Sequence, residues 1–154
     1  MSVRPALPSD LAEIDALIRE LAVYERMEAD VVFAPAQLHD ALFGPDPVAH
    51  VLVAEADDGT VAGMALWFPT YSTFLGRRGI WLEDLFVRPA HRRRGHGRAL
   101  LAELRSMTDG RVEWDVLDWN TSAQEFYDEL GAGAVTGWVR YRWLPAEHEG
   151  GGRS

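Results

Sequence analysis

The run His91-Arg92-Arg93-Arg94-Gly95-His96-Gly97-Arg98 packs four arginines and two spaced glycines behind an apolar, strand-like segment. Leu100, Leu101 and Leu104 follow at helical spacing, so the cluster opens a core-packed helix. Cations at a helix N-terminus are disfavoured by ~0.3–1 kcal/mol each. A polyanion seated there offsets that cost, because the free backbone N–H groups hold it and the guanidinium groups surround it. Gly95 and Gly97 remove the side chains that would keep a phosphate away from the backbone. Arg92-x-x-Gly95-x-Gly97 therefore reads as a pyrophosphate cradle between a strand and a helix, with a solvated basic patch as the plainer alternative. It is neither a Rossmann fingerprint nor a P-loop: the third glycine of one and the Gly-Lys-Ser/Thr of the other are absent.

A second constellation lies inside the strand. Glu83 and Asp84 interrupt the apolar run from Ile80 to Val87. Two carboxylates there are costly unless something uses them, and together they attract a cation. The alternative for Glu83 is a strand-edge carboxylate facing water. Tyr127 can hold or give a proton, but it shares a helical face with Phe126 and Leu130 and suits a core equally well. Residue types exclude other chemistries. Without cysteine there is no disulfide, thiolate metal site or cysteine nucleophile. All 15 basic residues are arginine, which removes a lysine nucleophile or Schiff base. His91 and His96 lack spaced ligand partners, so no metal is expected. Ser72, Ser106 and Ser122 have neither an elbow motif nor an identifiable base.

Positioning these groups takes an alternating set of elements. Ser2 to Arg4 predicts a short strand. Asp10 to Met27 predicts a helix, with Asp10 and Glu13 at capping-box spacing and Leu11, Ile14, Leu17, Ile18 and Leu21 on one face. A second helix is expected over Pro35 to Phe43, stopping at Gly44-Pro45. His50 to Glu55 and Val61 to Phe68 read as a hairpin turned by Asp57-Asp58-Gly59. Strand Ile80 to Val87, helix Gly97 to Met107, strand Arg111 to Leu117, helix Asn120 to Leu130 and strand Trp138 to Leu144 complete the chain. Gly131 supplies the stop of the last helix. The order β-α-α-β-β-β-α-β-α-β implies an α/β fold, a mixed central sheet flanked by helices.

With these pieces in order, the chain resembles the GCN5-related N-acetyltransferases, and within them the spermidine/spermine and thialysine N-acetyltransferase branch. The cradle after Val87-x-Pro89 carries the superfamily likeness. Arg4-Pro5-Ala6, Ile18-Arg19-Glu20-Leu21-Ala22, Tyr24-Glu25, Leu52-Val53-Ala54-Glu55, Tyr71-Ser72-Thr73-Phe74, Leu82-Glu83-Asp84, Asp118-Trp119-Asn120, Phe126-Tyr127 and Leu130-Gly131-Ala132 carry the narrower one. The resemblance implies acetyl-CoA as co-substrate. Backbone of Leu85, Phe86 and Val87 would pair with its pantetheine arm, and Arg92, Arg93, Arg94, Gly95, His96, Gly97 and Arg98 would take its pyrophosphate. Asn120 would touch it where the strand Arg111 to Leu117 splays from its neighbour. Tyr127 corresponds to the proton donor near the thioester sulfur, and Glu83 to the carboxylate that helps deprotonate the amine through water. Tyr24, Glu25, Glu83 and Asp84 would line the amine side. The chemistry needs such groups: freeing an amine of pKa ~10.4 at pH 7 costs about 4.6 kcal/mol. A positioned base is worth roughly 10²–10⁴-fold.

Departures from the branch bear on substrate. Where polyamine enzymes carry an aspartate and then a tryptophan after the tyrosine, this chain has Ser72 and Phe74, closer to the thialysine-preferring relatives. The segment from Ala132 to Trp138 is short and lacks an acidic pair. A short diamine or an amino-acid side-chain amine is therefore expected over spermine. A protein N-terminus, an aminoglycoside, or a non-catalytic acyl-CoA-binding role are the alternatives. The net charge of −9 argues against nucleic acid and anionic membranes as partners. No apolar stretch approaches 18 residues and no signal pattern opens the chain, so a cytoplasmic protein is expected. Its 154 residues suit one domain, expected over 1–146, with a fraying polar tail at 147–154. A homodimer is expected from the resemblance, with the aromatic strand Trp138 to Leu144 as an edge prone to association.

Overall fold

A computed structural model describes residues 1–146; the expected tail at 147–154 lies outside them. Contacts gather into two compact units, Met1–Asp115 and the chain from Val116 onward. The first holds β1 (Ser2–Pro5), α1 (Leu11–Tyr24), α2 (Pro35–Phe43), β2 (His50–Glu55), β3 (Val61–Ser72), β4 (Arg77–Val87), α3 (His96–Ser106) and β5 (Val112–Glu113). The strands form one mixed sheet in the order β1-β2-β3-β4-β5. All neighbours run antiparallel except β4 and β5, which are parallel and joined through α3.

Alternation along the strands sorts side chains onto two faces. Val51, Val53, Met64, Leu66 and Phe86 form one core with Ile14, Leu17 and Leu21 of α1 and Leu42 of α2. Leu52, Ala65, Ile80 and Leu82 are buried on the opposite parity, as are Leu100 and Leu104 of α3. The β2–β3 turn closes as its sequence requires: Gly59 takes φ +84° and Asp58 accepts the Thr60 N–H at 2.9 Å.

Several expected features take a different form. Asp10 makes no side-chain cap on α1. Its carboxylate is almost fully buried and bonded to Arg4 at 2.8 and 3.0 Å and to the Leu7 N–H at 2.7 Å. The guanidinium holds it well below the usual carboxylate range and outcompetes the cap. α1 ends at Tyr24 rather than Met27. Arg26 turns left-handed (φ +61°), its N–H bonds the Val23 carbonyl, and the Met27 N–H reaches back to Ala22. That is a Schellman closure with arginine where glycine is usual. β3 and β4 outrun the expected limits of Phe68 and Ile80, because backbone pairing continues after the apolar alternation fades at Tyr71, Ser72, Arg77 and Arg78. β5 is much shorter than Arg111 to Leu117: only Val112 and Glu113 pair, with Ile80 and Trp81. A bulge in β4 just beyond Trp81 bends that strand away from the line a longer parallel ladder needs.

In the second unit, α4 (Thr121–Glu129) is capped by Asn120, whose Oδ1 accepts the Ala123 N–H at 3.3 Å. Gly131 at φ +85° ends it. The expected strand Trp138 to Leu144 does not form. Trp138, Val139, Tyr141 and Trp143 are 84, 80, 93 and 100% exposed. Alternation alone does not make a strand; a neighbouring ladder does, and among the described residues none pairs here.

Candidate active site

The carboxylates owe their placement to the bulge in β4. Trp67 of β3 stands opposite Leu82, yet the preceding Leu66 stands opposite Asp84. Glu83 is the extra residue. Since opposed residues share a face, Leu82 lies on the α3 side with Trp67, while Asp84 lies with Leu66 and Phe86 on the α1 side. Uninterrupted alternation would have put Leu82 and Asp84 on one face; inserting one residue reverses everything after it. Asp84 thereby comes within the electrostatic reach of Glu25, at the C-cap of α1.

Burial acts first in this trio, on Asp84 and Glu25, and mutual repulsion adds to it. Burial, then Glu83, then Glu25, push the Asp84 carboxyl up to about 7. Burial and Glu83 likewise raise Glu25 above the usual carboxylate range. Glu83 itself is exposed and held from below by the Trp81 indole, whose Nε1–H donates to Oε2 at 2.8 Å. Tyr24 stands beside them, its ring 6.5 Å from that of Phe86. Glu25 at the end of α1, Glu83 and Asp84 on β4 and the Tyr24 ring have between them the chemistry that attracts a small cation.

The cradle lies at the next turn of chain. Arg93 and Gly95 both adopt left-handed backbone, φ +61° and +87°. Gly95 is required by that conformation rather than by space, since an added Cβ meets only Met1 Cε at 3.7 Å. A non-glycine residue at positive φ costs ~1–2 kcal/mol, and such strain clusters at ligand loops. No side chain caps α3, so the first N–H groups of the helix point out of its start, with Arg94 and Arg98 beside them. His96 is almost fully buried with its Nδ1 unpartnered; burial, then His91, hold its pKa below the usual imidazole value. Arg92 turns back from the loop. Its Nε donates to the Val87 carbonyl at 2.8 Å, and its guanidinium carbon lies 5.2 Å from the Tyr24 ring centroid and 5.5 Å from that of Phe86. One side chain thus links the arginine loop to the Tyr24 and Phe86 rings beside the carboxylate trio. From Leu82 to Val87 the outer edge of β4 pairs with no strand among the described residues, leaving room for an extended ligand alongside Leu85 and Val87.

The remaining candidates belong to the second unit: Asn120 at the start of α4, and Tyr127 within it, its ring 5.6 Å from that of Phe126. The linking role of Arg92 and the hydrogen bond from Trp81 were not read from the sequence. Trp81 carried a signal, standing two residues before Glu83, but which face it used depended on the register.

The acetyltransferase (GNAT) family model matches residues 14–132. The chain is 33% identical to the thialysine N-epsilon-acetyltransferase of Mus musculus, over 92% of this chain and 91% of that one. It is 30% identical to an L-ornithine N5-acetyltransferase of Arabidopsis thaliana, over 88% and 81%. A crystal structure of an aminoglycoside acetyltransferase from an uncultured soil metagenomic sample superposes with a TM-score of 0.76 at 17% identity, covering 94% of this chain and 95% of that one. The chain belongs to the GNAT family: it is an N-acetyltransferase, of a family that draws its acetyl group from acetyl-CoA.

Proposed function

We propose that this protein acetylates the terminal primary amine of a small amino acid or diamine, of the thialysine and ornithine kind, by direct transfer within a ternary complex. The observation that supports this reading is the carboxylate trio Glu25, Glu83 and Asp84, brought within electrostatic reach of one another with the help of the β4 bulge. The acetyl-CoA thioester supplies the activated acyl group. Its pyrophosphate is assigned to the start of α3, from Arg93 to Arg98, and Arg92 braces that loop; Leu85 to Val87 and Asn120 are assigned to its arm. The ammonium rests among Tyr24, Glu25, Glu83 and Asp84. Glu83 takes its proton through water, the amine nitrogen bonds to the acyl carbon, and the C–S bond breaks. Tyr127 protonates the departing thiolate. With no cysteine to carry an acetyl group, holding both reactants together is the economical route. Residues 1–146 then act as one catalytic domain, in a homodimer, in the cytoplasm.

The test is release of free CoA over a panel of thialysine, ornithine, lysine, diamines, polyamines and peptides. Short amino-acid amines and diamines should lead. Glu83→Gln should lower kcat/KM by ~10²-fold near pH 7 and recover partly at high pH, where free amine needs no base. Tyr127→Phe should lower kcat while acetyl-CoA affinity stays near the parent value. Parent-like turnover by both variants at pH 7 would remove these residues from the mechanism.

A further inference from the structure

A second polar hollow lies on the same face of the sheet as the carboxylate trio, further back along β4. Thr70, Ser72, Arg77, Gly79, Arg111 and Glu113 line it. The face follows from the register: Thr70 opposes Gly79 and Phe68 opposes Trp81, the residue whose indole holds Glu83. A Cβ placed on Gly79 would lie 2.8 Å from Thr70 Oγ1 and 2.6 Å from the Arg111 carbonyl, so glycine is what lets β3, β4 and the start of β5 meet there.

The charges in the hollow are unevenly spent. Arg77 is engaged, donating to the Asp109 carbonyl at 3.2 Å with that carboxylate 4.0 Å away. Arg111 pairs with no carboxylate among the described residues, and its guanidinium donates to Ser72 Oγ at 2.6 Å. Glu113, two residues on and on the same side of the strand, has no cation partner among them either. An arginine and a glutamate left open side by side, in a molecule of net charge −9, match a zwitterion rather than a simple cation.

We propose that Arg111, Ser72 and Glu113 form the subsite for the α-carboxylate and α-ammonium of an amino-acid substrate whose side-chain amine reaches Glu83. This rests on the acetyltransferase reading above and deepens it. The lengths agree. At 3.3 Å per residue, Gly79 and Glu83 are ~13 Å apart along β4. Glu83 leans back to within 2.8 Å of the Trp81 indole nitrogen, and Trp81 pairs with Glu113 itself, which shortens the span to roughly 8–13 Å. A lysine- or ornithine-length side chain covers ~5–6 Å from Cα to nitrogen, and a hydrogen bond of ~3 Å at each end closes the rest. A diamine fills the amine end and leaves the zwitterion subsite empty.

The experiment compares kcat/KM for matched pairs differing only by the carboxylate: lysine with cadaverine, ornithine with putrescine. Arg111→Gln should lower the amino-acid-to-diamine ratio by ~10–100-fold, the range for loss of one charge-assisted bond, through KM rather than kcat. Glu113→Gln should lower it less, and Arg111→Lys should restore part of it. The diamine member of each pair reports whether a variant still folds and transfers. A parent enzyme that turns over both members, with Arg111→Gln reducing them equally or not at all, overturns the subsite alone. A parent that acetylates no small amine overturns the acceptor assignment, and the subsite with it.

Discussion

Asp84 is the residue whose behaviour differs most from its type. Burial and two neighbouring carboxylates raise it to about 7, so near neutrality it exchanges its proton where an ordinary aspartate would be fully ionised. A raised folded-state pKa stabilises the fold below the ordinary value of ~3.9 and loses that contribution as pH climbs through 7. Asp84→Asn should therefore melt higher than the parent at pH 8, by a smaller margin at pH 5, and match it only below about pH 4. Bound ammonium favours the ionised form, so calorimetric affinity for a diamine should rise between pH 6 and 8 in the parent and rise less in the variant, where only Glu25 is left raised. Identical pH profiles for the two proteins would show that Asp84 does not face the cation. The sequence marked Glu83 and Asp84 as a pair because charges inside an apolar run stand out locally. The spacing did not set their ionisation apart, since that difference comes first from burial, then from Glu83, and last from Glu25, 59 positions away along the chain.

Among the elements, the β4 bulge does the most for the site. Removing the inserted residue by deleting Glu83 leaves Leu82 opposite Trp67 and Asp84 opposite Leu66, a continuous ladder with every later side chain on its present face. The deletion should therefore fold, with a melting temperature within a few degrees of the parent. Activity should fall by at least ~10²-fold, because the group assigned to proton removal is gone while Asp84 stays in place. Unfolding of the variant, read by circular dichroism, would mean the bulge supports the sheet rather than the site. Helices were legible to within a few residues, as were the β2–β3 turn and the glycine ends of α2 and α4. α1 misled because Arg4, on β1 six residues earlier and outside the helical pattern, claimed the Asp10 carboxylate.

For the whole molecule, the exposed aromatic stretch is the feature with the largest consequence. Trp138, Val139, Tyr141 and Trp143 stand exposed close together in the chain, and contiguous exposed apolar groups mark association surfaces. In the proposed homodimer this stretch is covered. Light scattering at micromolar concentration should give twice the 17.2 kDa chain mass, and the double variant Trp138→Ser, Trp143→Ser should shift it toward monomer. A parent that stays monomeric across that range would sink the dimer. Among the described residues no helix is long and apolar enough to cross a membrane.

What the sequence determined by itself is whatever depends on neighbours in the chain. The Arg92-x-x-Gly95-x-Gly97 cradle is set by backbone that only glycine takes freely at position 95 and by charges side by side. The apolar faces of α1 and α3 are set by a 3.6-residue period, and the family by motifs in order. The tertiary structure decided what depends on register and desolvation. It turned Asp84 toward Glu25, drew Arg92 back onto Tyr24 and Phe86, stopped β5 after two residues, and left 138–144 without a ladder. A one-residue insertion reverses which way a strand's side chains face, and a carboxylate's pKa is set by the charges and burial around it; neither is written in the spacing of residues along one strand.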